Sequence, residues 1–208
     1  MKKQNEKFLF VVTNNVGKLM AANNVFLRFG IKVKQIKKDY PEIQKEKSIE
    51  IAKFTAIQAC KEFNAPVVRE DHSLFINFLN IPGPYTSYIE KRISVNKLLG
   101  ILKNQKDRGG YFEIAAALAM PEGFVKEFEF RVPILFAKKP KGSLSGGWNR
   151  ILKLPGSKKT FAEQKEEENL NIWNKNYIAI AKYLIKYYEK NKINSIDRNT
   201  GRRKNLFT

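Results

Sequence analysis

The stretch VVTNNVGKL at residues 11–19 combines a short polar turn with a glycine and a lysine. Thr13, Asn14 and Asn15 tolerate turn conformations and can cap a following helix through a side-chain oxygen. Gly17 and Lys18 then fall where the first N–H groups of that helix have no partner within it. Unpaired amides beside a lysine suit an anion, and phosphate is the usual one. An ordinary strand-to-helix turn with a solvated lysine fits the same letters. The second group is Glu70 and Asp71, within PVVREDHSLFI at residues 66–76. A strand is expected to run into this pair of acids at its carboxyl end, where α/β sheets bind ligands. Adjacent carboxylates near a phosphate site would suit Mg2+, which binds through one or two carboxylates plus substrate oxygens. A solvated acidic turn is the plainer alternative. His72, the one histidine of the chain, reads as structural.

Positioning these groups takes strands and helices in alternation. FLFVV at residues 8–12 has the apolar, β-branched and aromatic character of a core strand. A helix is expected over 18–29, with Leu19, Ala22, Phe26 and Phe29 at spacings of three and four, ended by Gly30. A second strand follows at 31–36, then the loop DYPEIQKEKS, which carries Glu42. Ser48 is placed to cap a helix over 48–63 that turns Ile49, Ala52, Ala56, Ala59 and Phe63 inward. After the 66–76 strand come a Pro-Gly turn leading into a helix start (81–92) and a short helix (95–102). Residues 111–120 and 124–136 read as a hairpin about Pro121-Glu122-Gly123. A long loop, a short acidic helix (161–168) and a helix over 174–188 complete one domain at 1–190. Residues 191–208 lack periodicity and carry Arg198, Arg202, Arg203 and Lys204, the pattern of a basic tail able to wrap a partner.

Charge is the unusual bulk property. Thirty-nine Lys and Arg against 20 Asp and Glu give +19 over 208 residues. Such a field draws a protein to polyanions: nucleotides, RNA or an anionic membrane surface. A lysine-rich composition with solvated faces accounts for it equally. The longest apolar run, near 114–120, is far below the roughly 20 residues of a membrane span, so no transmembrane segment is expected. The apolar part of MKKQNEKFLFVV reads as the first strand and not as a secretory signal. A single cysteine, Cys60, cannot form an internal disulfide, which points to an intracellular, reducing compartment, cytoplasm or mitochondrial matrix.

Taken in order, TNNVGKL, PEIQ, EIAKFTAIQA, VVREDHSLFI, IPGPYTSYI, GGWN and TFAEQKEEEN resemble the inosine triphosphate pyrophosphatase family, over roughly residues 8–184. The resemblance rests on order and spacing more than on any one motif. It implies an elongated α/β fold, a long mixed sheet with two lobes around a cleft, and commonly a homodimer. It implies removal of pyrophosphate from non-standard purine nucleoside triphosphates. It further implies that the loop Thr13, Asn14, Asn15 to Lys18 cradles phosphates. Glu42 and Asp71 would hold Mg2+, and Glu70 with Asp71 would prepare the attacking water.

Departures from the family pattern are as informative. Asn14 stands where the family usually has glycine, and Thr55 where it usually has a phosphate-binding lysine. Lys53, two residues earlier, points about 200° away around a helix and is a poor substitute. The purine-pocket motif Phe-Gly-Tyr/Trp-Asp becomes Gly146-Gly147-Trp148-Asn149. Glu-Lys-Asn followed by Ser-His-Arg becomes Glu168-Asn169-Leu170, then Trp173-Asn174-Lys175. The replaced groups are those expected to hydrogen-bond a 6-oxo purine, and a pocket that loses such partners loses discrimination. Trp148, Asn149, Trp173 and Lys175 remain as candidates for the base, with the tryptophans stacking. Two functions are therefore expected: cleavage of a nucleoside triphosphate to monophosphate and pyrophosphate with a rewritten base pocket, or a catalytically inactive subunit of a larger assembly, such as a ribosome or a mitochondrial complex. The second would bind RNA or partner proteins through the basic surface and residues 191–208.

Overall fold

The computed structural model describes residues 7–199 except 42, 166, 167 and 169–171. Strands β1 (Phe8–Val12), β2 (Lys32–Ile36), β3 (Val67–Ile76), β4 (Ile81–Gly83), β5 (Gly109–Ala119), β6 (Val125–Phe136) and β7 (Leu152–Lys153) form one mixed sheet. Its order is β2-β1-β3-β5-β6-β7, with β4 paired to the end of β3. Helix α1 (Val16–Arg28) joins β1 to the parallel β2, and α2 (Ser48–Phe63) leads to β3, which lies parallel to β1. From β3 onward the pairing is antiparallel: β5 matches all of β3, and β6 matches all of β5. The hairpin turn at 121–123 closes through Met120 N–H to the Phe124 carbonyl at 3.0 Å. Short helices α3 (Thr86–Glu90) and α4 (Val95–Ile101) and the long α5 (Lys175–Asn199) complete the chain.

Strand alternation sorts the core onto two faces. On one face, Val68, Ala116 and Leu118 pack with Phe26 of α1 and with Tyr177, Ile180 and Leu184 of α5. Farther along that face, Leu74, Ile76, Ile114 and Ile134 pack with Leu98 of α4 and with Trp148 and Ile151, building the far lobe. On the opposite face, Val67, Ala115, Ala117 and Ala119 meet Ala52, Ala56 and Ala59 of α2. Small side chains on both partners let that helix lie close to the sheet, and this dense, dry contact holds α2 beside the acids of β3.

Several expectations need correction. β3 does not end at Glu70 and Asp71; it continues to Ile76 because β5 pairs with every residue of it. Ser48 is not the cap of α2. Lys47 occupies that position without a side-chain bond, and the Ser48 hydroxyl is hydrogen-bonded to the hydroxyl of Ser73. Phe63 is 39% exposed. The acidic helix expected at 161–168 is a three-residue 3-10 turn, Phe161–Glu163, closed by a reciprocal Thr160–Glu163 cap, after which Gln164 is extended. The last helix runs past Tyr188 to Asn199, so its backbone enters the segment read as an aperiodic tail; residues 200–208 lie outside the described residues.

Candidate active site

A gap along one edge of β3 creates the site. β1 reaches only as far as Arg69, opposite Val12, while β4 joins only at Leu74. On that edge residues 70–73 have no strand beside them. Lys18, from the first turn of α1, fills the vacancy: its Nζ donates to the Glu70 carbonyl at 3.0 Å. Burial pushes the Lys18 ammonium below its usual pKa; the charges of Glu70 and Asp71 oppose that fall, and Arg69 adds to it.

The turn before α1 is held as its sequence suggests. Asn15 Oδ1 accepts from the Lys18 amide at 3.1 Å and caps the helix. Thr13 Oγ1 accepts from the Asn15 amide at 3.0 Å, and the Thr13 carbonyl accepts from Gln35 Nε2 at 2.8 Å. Asn14 Nδ2 donates to Asp39 Oδ1 at 2.9 Å. The turn opens onto a cavity of about 540 Å³ lined by Thr13, Asn14, Asn15, Lys18, Thr55 and Arg69 among others. Lys53 plays no part there; it pairs with Glu127 at 2.7 Å, as its angle around the helix predicts.

Glu70 and Asp71 do not act as one pair. Neighbours on a strand point to opposite faces. Glu70 faces α5, is 2% exposed, and is joined to His72 Nε2 through Oε2 at 3.0 Å. The buried Tyr177 hydroxyl of α5 faces this carboxylate. Burial and the Glu70 charge raise Tyr177 well above the usual phenol pKa. Burial first, and then the Lys18 charge, hold the His72 imidazole below its usual value against the pull of Glu70 and Asp71; its ring lies 5.2 Å from that of Trp173. Asp71 is half-buried and, by alternation, shares the α2 face with Arg69 and Ser73. The two carboxylates therefore cannot converge on one ion while β3 remains a strand. Glu42, expected as a metal ligand, lies outside the described residues. Among the described residues no group of three His, Cys, Asp or Glu could hold a metal. Asp71 alone would still suit Mg2+, a hard cation that takes one or two carboxylates and completes its shell with water and phosphate oxygens.

The base-end candidates scatter. Trp148 is 2% exposed in the core of the far lobe, its amide donating to Glu90 Oε1 at 2.7 Å and its indole Nε1 to the Ile93 carbonyl at 2.8 Å. With its ring walled in and its N–H committed, Trp148 has no face left for a base; the expectation that it stacks on one is corrected. Gly147, at φ 52°, makes that placement possible, since a Cβ there would collide with Glu90 Oε1. Asn149 is exposed beside it. Trp173 is half-buried, packed edge-on against Phe112 at 5.4 Å and beside His72. Lys175 is exposed, its Nζ 5.4 Å from the centre of the Phe130 ring. Sequence reasoning missed two residues. Tyr177 gave no signal beyond its helical spacing. Arg69 was findable, because two residues before Asp71 on a strand means the same face.

A long mixed sheet with helices on both faces and a far lobe built on its extended strands is the inosine triphosphate pyrophosphatase fold. Solved Ham1 structures share it: one from Staphylococcus aureus at TM-score 0.69 and 25% identity, covering 89% of this chain and all of that one, and one from Coxiella burnetii at 0.74 and 21%, covering 86% and 99%. Residues 9–183 match the profile of the Ham1 family. A dITP/XTP pyrophosphatase of Methanopyrus kandleri is 34% identical over 167 residues, 80% of this chain and 88% of its own length. Another, from Saccharolobus solfataricus, is 32% identical over 185 residues, 86% and 95%. The chain belongs to the Ham1 family, and the resemblance read from its motif order holds.

Proposed function

We propose that this chain cleaves a nucleoside triphosphate to the monophosphate and pyrophosphate. The observation that carries the reading is the half-buried Lys18 ammonium, set in the gap of β3 between the Thr13–Asn15 turn and the acids. Relatives named dITP/XTP pyrophosphatase support it.

The triphosphate lies in the cavity at the start of α1. Lys18 Nζ and the amides of Val16 and Gly17 take phosphoryl oxygens, and the capped turn keeps them aimed before substrate arrives, so little reorganisation opposes the reaction. Asp71 orients the attacking water and accepts its proton. Mg2+, when bound, neutralises phosphate charge; Asp71 is the described residue suited to hold it, with Glu42 added by the family resemblance. Glu70 acts at one remove. Its carboxylate braces His72 on the α5 face, while its backbone carbonyl holds Lys18 in place. Trp173, Asn149 and Lys175 are the groups left for the base, so selectivity differs from that of a pocket built for a 6-oxo purine. Charged groups gathered at one gap favour an enzyme over a non-catalytic subunit.

The test is direct. With Mg2+ and a panel of triphosphates including ITP, XTP, dITP and the common nucleotides, monophosphate and pyrophosphate should appear in equal amounts with at least one base. Absence of both products with every base at high protein concentration overturns the reading.

A further inference from the structure

Arg69 stands on β3 two residues before Asp71, on the face that carries α2. Its Nη1 donates to the carbonyl of Val12, the last residue of β1, at 3.2 Å. That bond anchors the guanidinium at the mouth of the phosphate turn. Nε is buried and meets no acceptor. Among the described residues no salt bridge engages it. A guanidinium stays charged at any physiological pH, and a partly buried charge without an anion is unfavourable until an anion arrives.

Asp39, the carboxylate in the lining, is bonded to Asn14 Nδ2 and makes no salt bridge to Arg69, and the remaining groups leave that vacancy open. Lys38 lines it but is bound to both carboxylate oxygens of Glu62 at 2.8 Å. Lys18 gives one of its three N–H donors to the Glu70 carbonyl. Helix α2 brings only Ile51 and Thr55, neither charged. Of the three cations that line the cavity, Lys38 is bonded to a carboxylate and Lys18 to the Glu70 carbonyl, whereas the Arg69 side chain is bonded to the Val12 carbonyl alone.

We propose that Arg69 is a phosphate-binding residue: its fork of N–H donors takes oxygens of the triphosphate in the cavity that Lys18 also lines, where α2 brings only Ile51 and Thr55. A planar fork matches a phosphoryl group two bonds at a time, which an ammonium cannot do. This rests on the triphosphate reading above and names a further contact within it.

Inorganic tripolyphosphate probes the contact without a base or a reaction. Its affinity is measured calorimetrically with Mg2+ for the full chain, for Arg69→Gln, for Arg69→Lys and for Lys53→Gln as a control outside the cavity. Arg69→Gln should weaken binding by roughly 10- to 100-fold, the worth of hydrogen bonds to a charged group. Arg69→Lys, which keeps charge but loses the fork, should fall between Arg69→Gln and the unaltered chain. Lys53→Gln should bind as the unaltered chain does. Thermal melting checks that each variant folds. Should Arg69→Gln not fold, Arg69→Lys decides: weakened binding supports the proposal, and unaltered affinity overturns it. Affinities within twofold for both variants, or no binding by the unaltered chain, also overturn it. Binding that depends on Arg69 without turnover of any nucleotide would leave Arg69 standing and remove the hydrolase. Turnover whose KM ignores Arg69 would do the reverse.

Discussion

Lys18 holds two roles that conflict. Its charge is useful to a phosphate and unfavourable in a buried gap, so burial drives its pKa below 10.5. The alkaline limb of kcat/KM, which reports the free enzyme, should therefore fall below the ordinary lysine range. Lys18→Met should remove that limb and lower kcat/KM by about 100- to 1000-fold, as loss of one preorganised charge contact does. A pH–rate profile of both proteins decides it, and an unchanged limb in the variant assigns it elsewhere. His72 makes a stability prediction. Its folded pKa lies below 6.5 while the unfolded chain keeps about 6.5. Between the two values the unfolded state binds more protons, so stability is full above pH 6.5 and falls as pH drops through that window. His72→Gln keeps a donor for Glu70 but cannot titrate. Its unfolding free energy, measured by denaturant across the same range, should lose that part of the slope.

Elements explain why some residues were misread. Trp148 sits in a turn that resembles a base-binding motif, yet Glu90, 58 positions away in sequence, claims its amide. Trp148→Ala should cost about 3–5 kcal/mol of stability, the usual penalty for emptying a large buried site. The order of preference among bases should stay as it was. Denaturant unfolding and a nucleotide panel test the two halves separately, and a reordered preference would return Trp148 to the pocket. What was legible followed local periodicity: β1, α1, α2 and the β5–β6 hairpin have short-range patterns that tertiary contacts only reinforce. What was not legible depended on distant neighbours. Glu70 and Asp71 read as the end of a strand because a polar pair follows an apolar run. The strand continues because β5 supports it, and only the partner on its other edge stops. Ser48 had the local signature of a cap until Ser73, facing α2 from β3, took its hydroxyl. The end of α5 shows no apolar periodicity in the sequence, but its lysines and glutamate are adequate helix formers, a propensity that suits a backbone helical as far as Asn199.

At the scale of the whole molecule the net charge of +19 needs a consequence. No helix among the described residues is long and apolar enough to cross a membrane, so the charge does not flank a helical span there. A triphosphate is a compact polyanion, and a field of this sign concentrates it around the protein before any specific contact forms. Steering of this kind raises association rates by roughly 10- to 1000-fold and fades as salt shortens the Debye length from about 10 Å at 0.1 M to about 3 Å at 1 M. The effect acts on encounter, while Lys18 and Asp71 act after it. Raising ionic strength with a neutral salt should therefore lower kcat/KM steeply and leave kcat nearly constant. Lys18→Met should be slower at every salt concentration yet keep the same slope, since it removes one cation of 39. Steady-state kinetics of both proteins over one salt series separate the two contributions. A flat kcat/KM would mean that the excess lysines are solvated surface with no part in capture. A slope that vanishes with Lys18 would mean that salt acts through that single contact and not through the field.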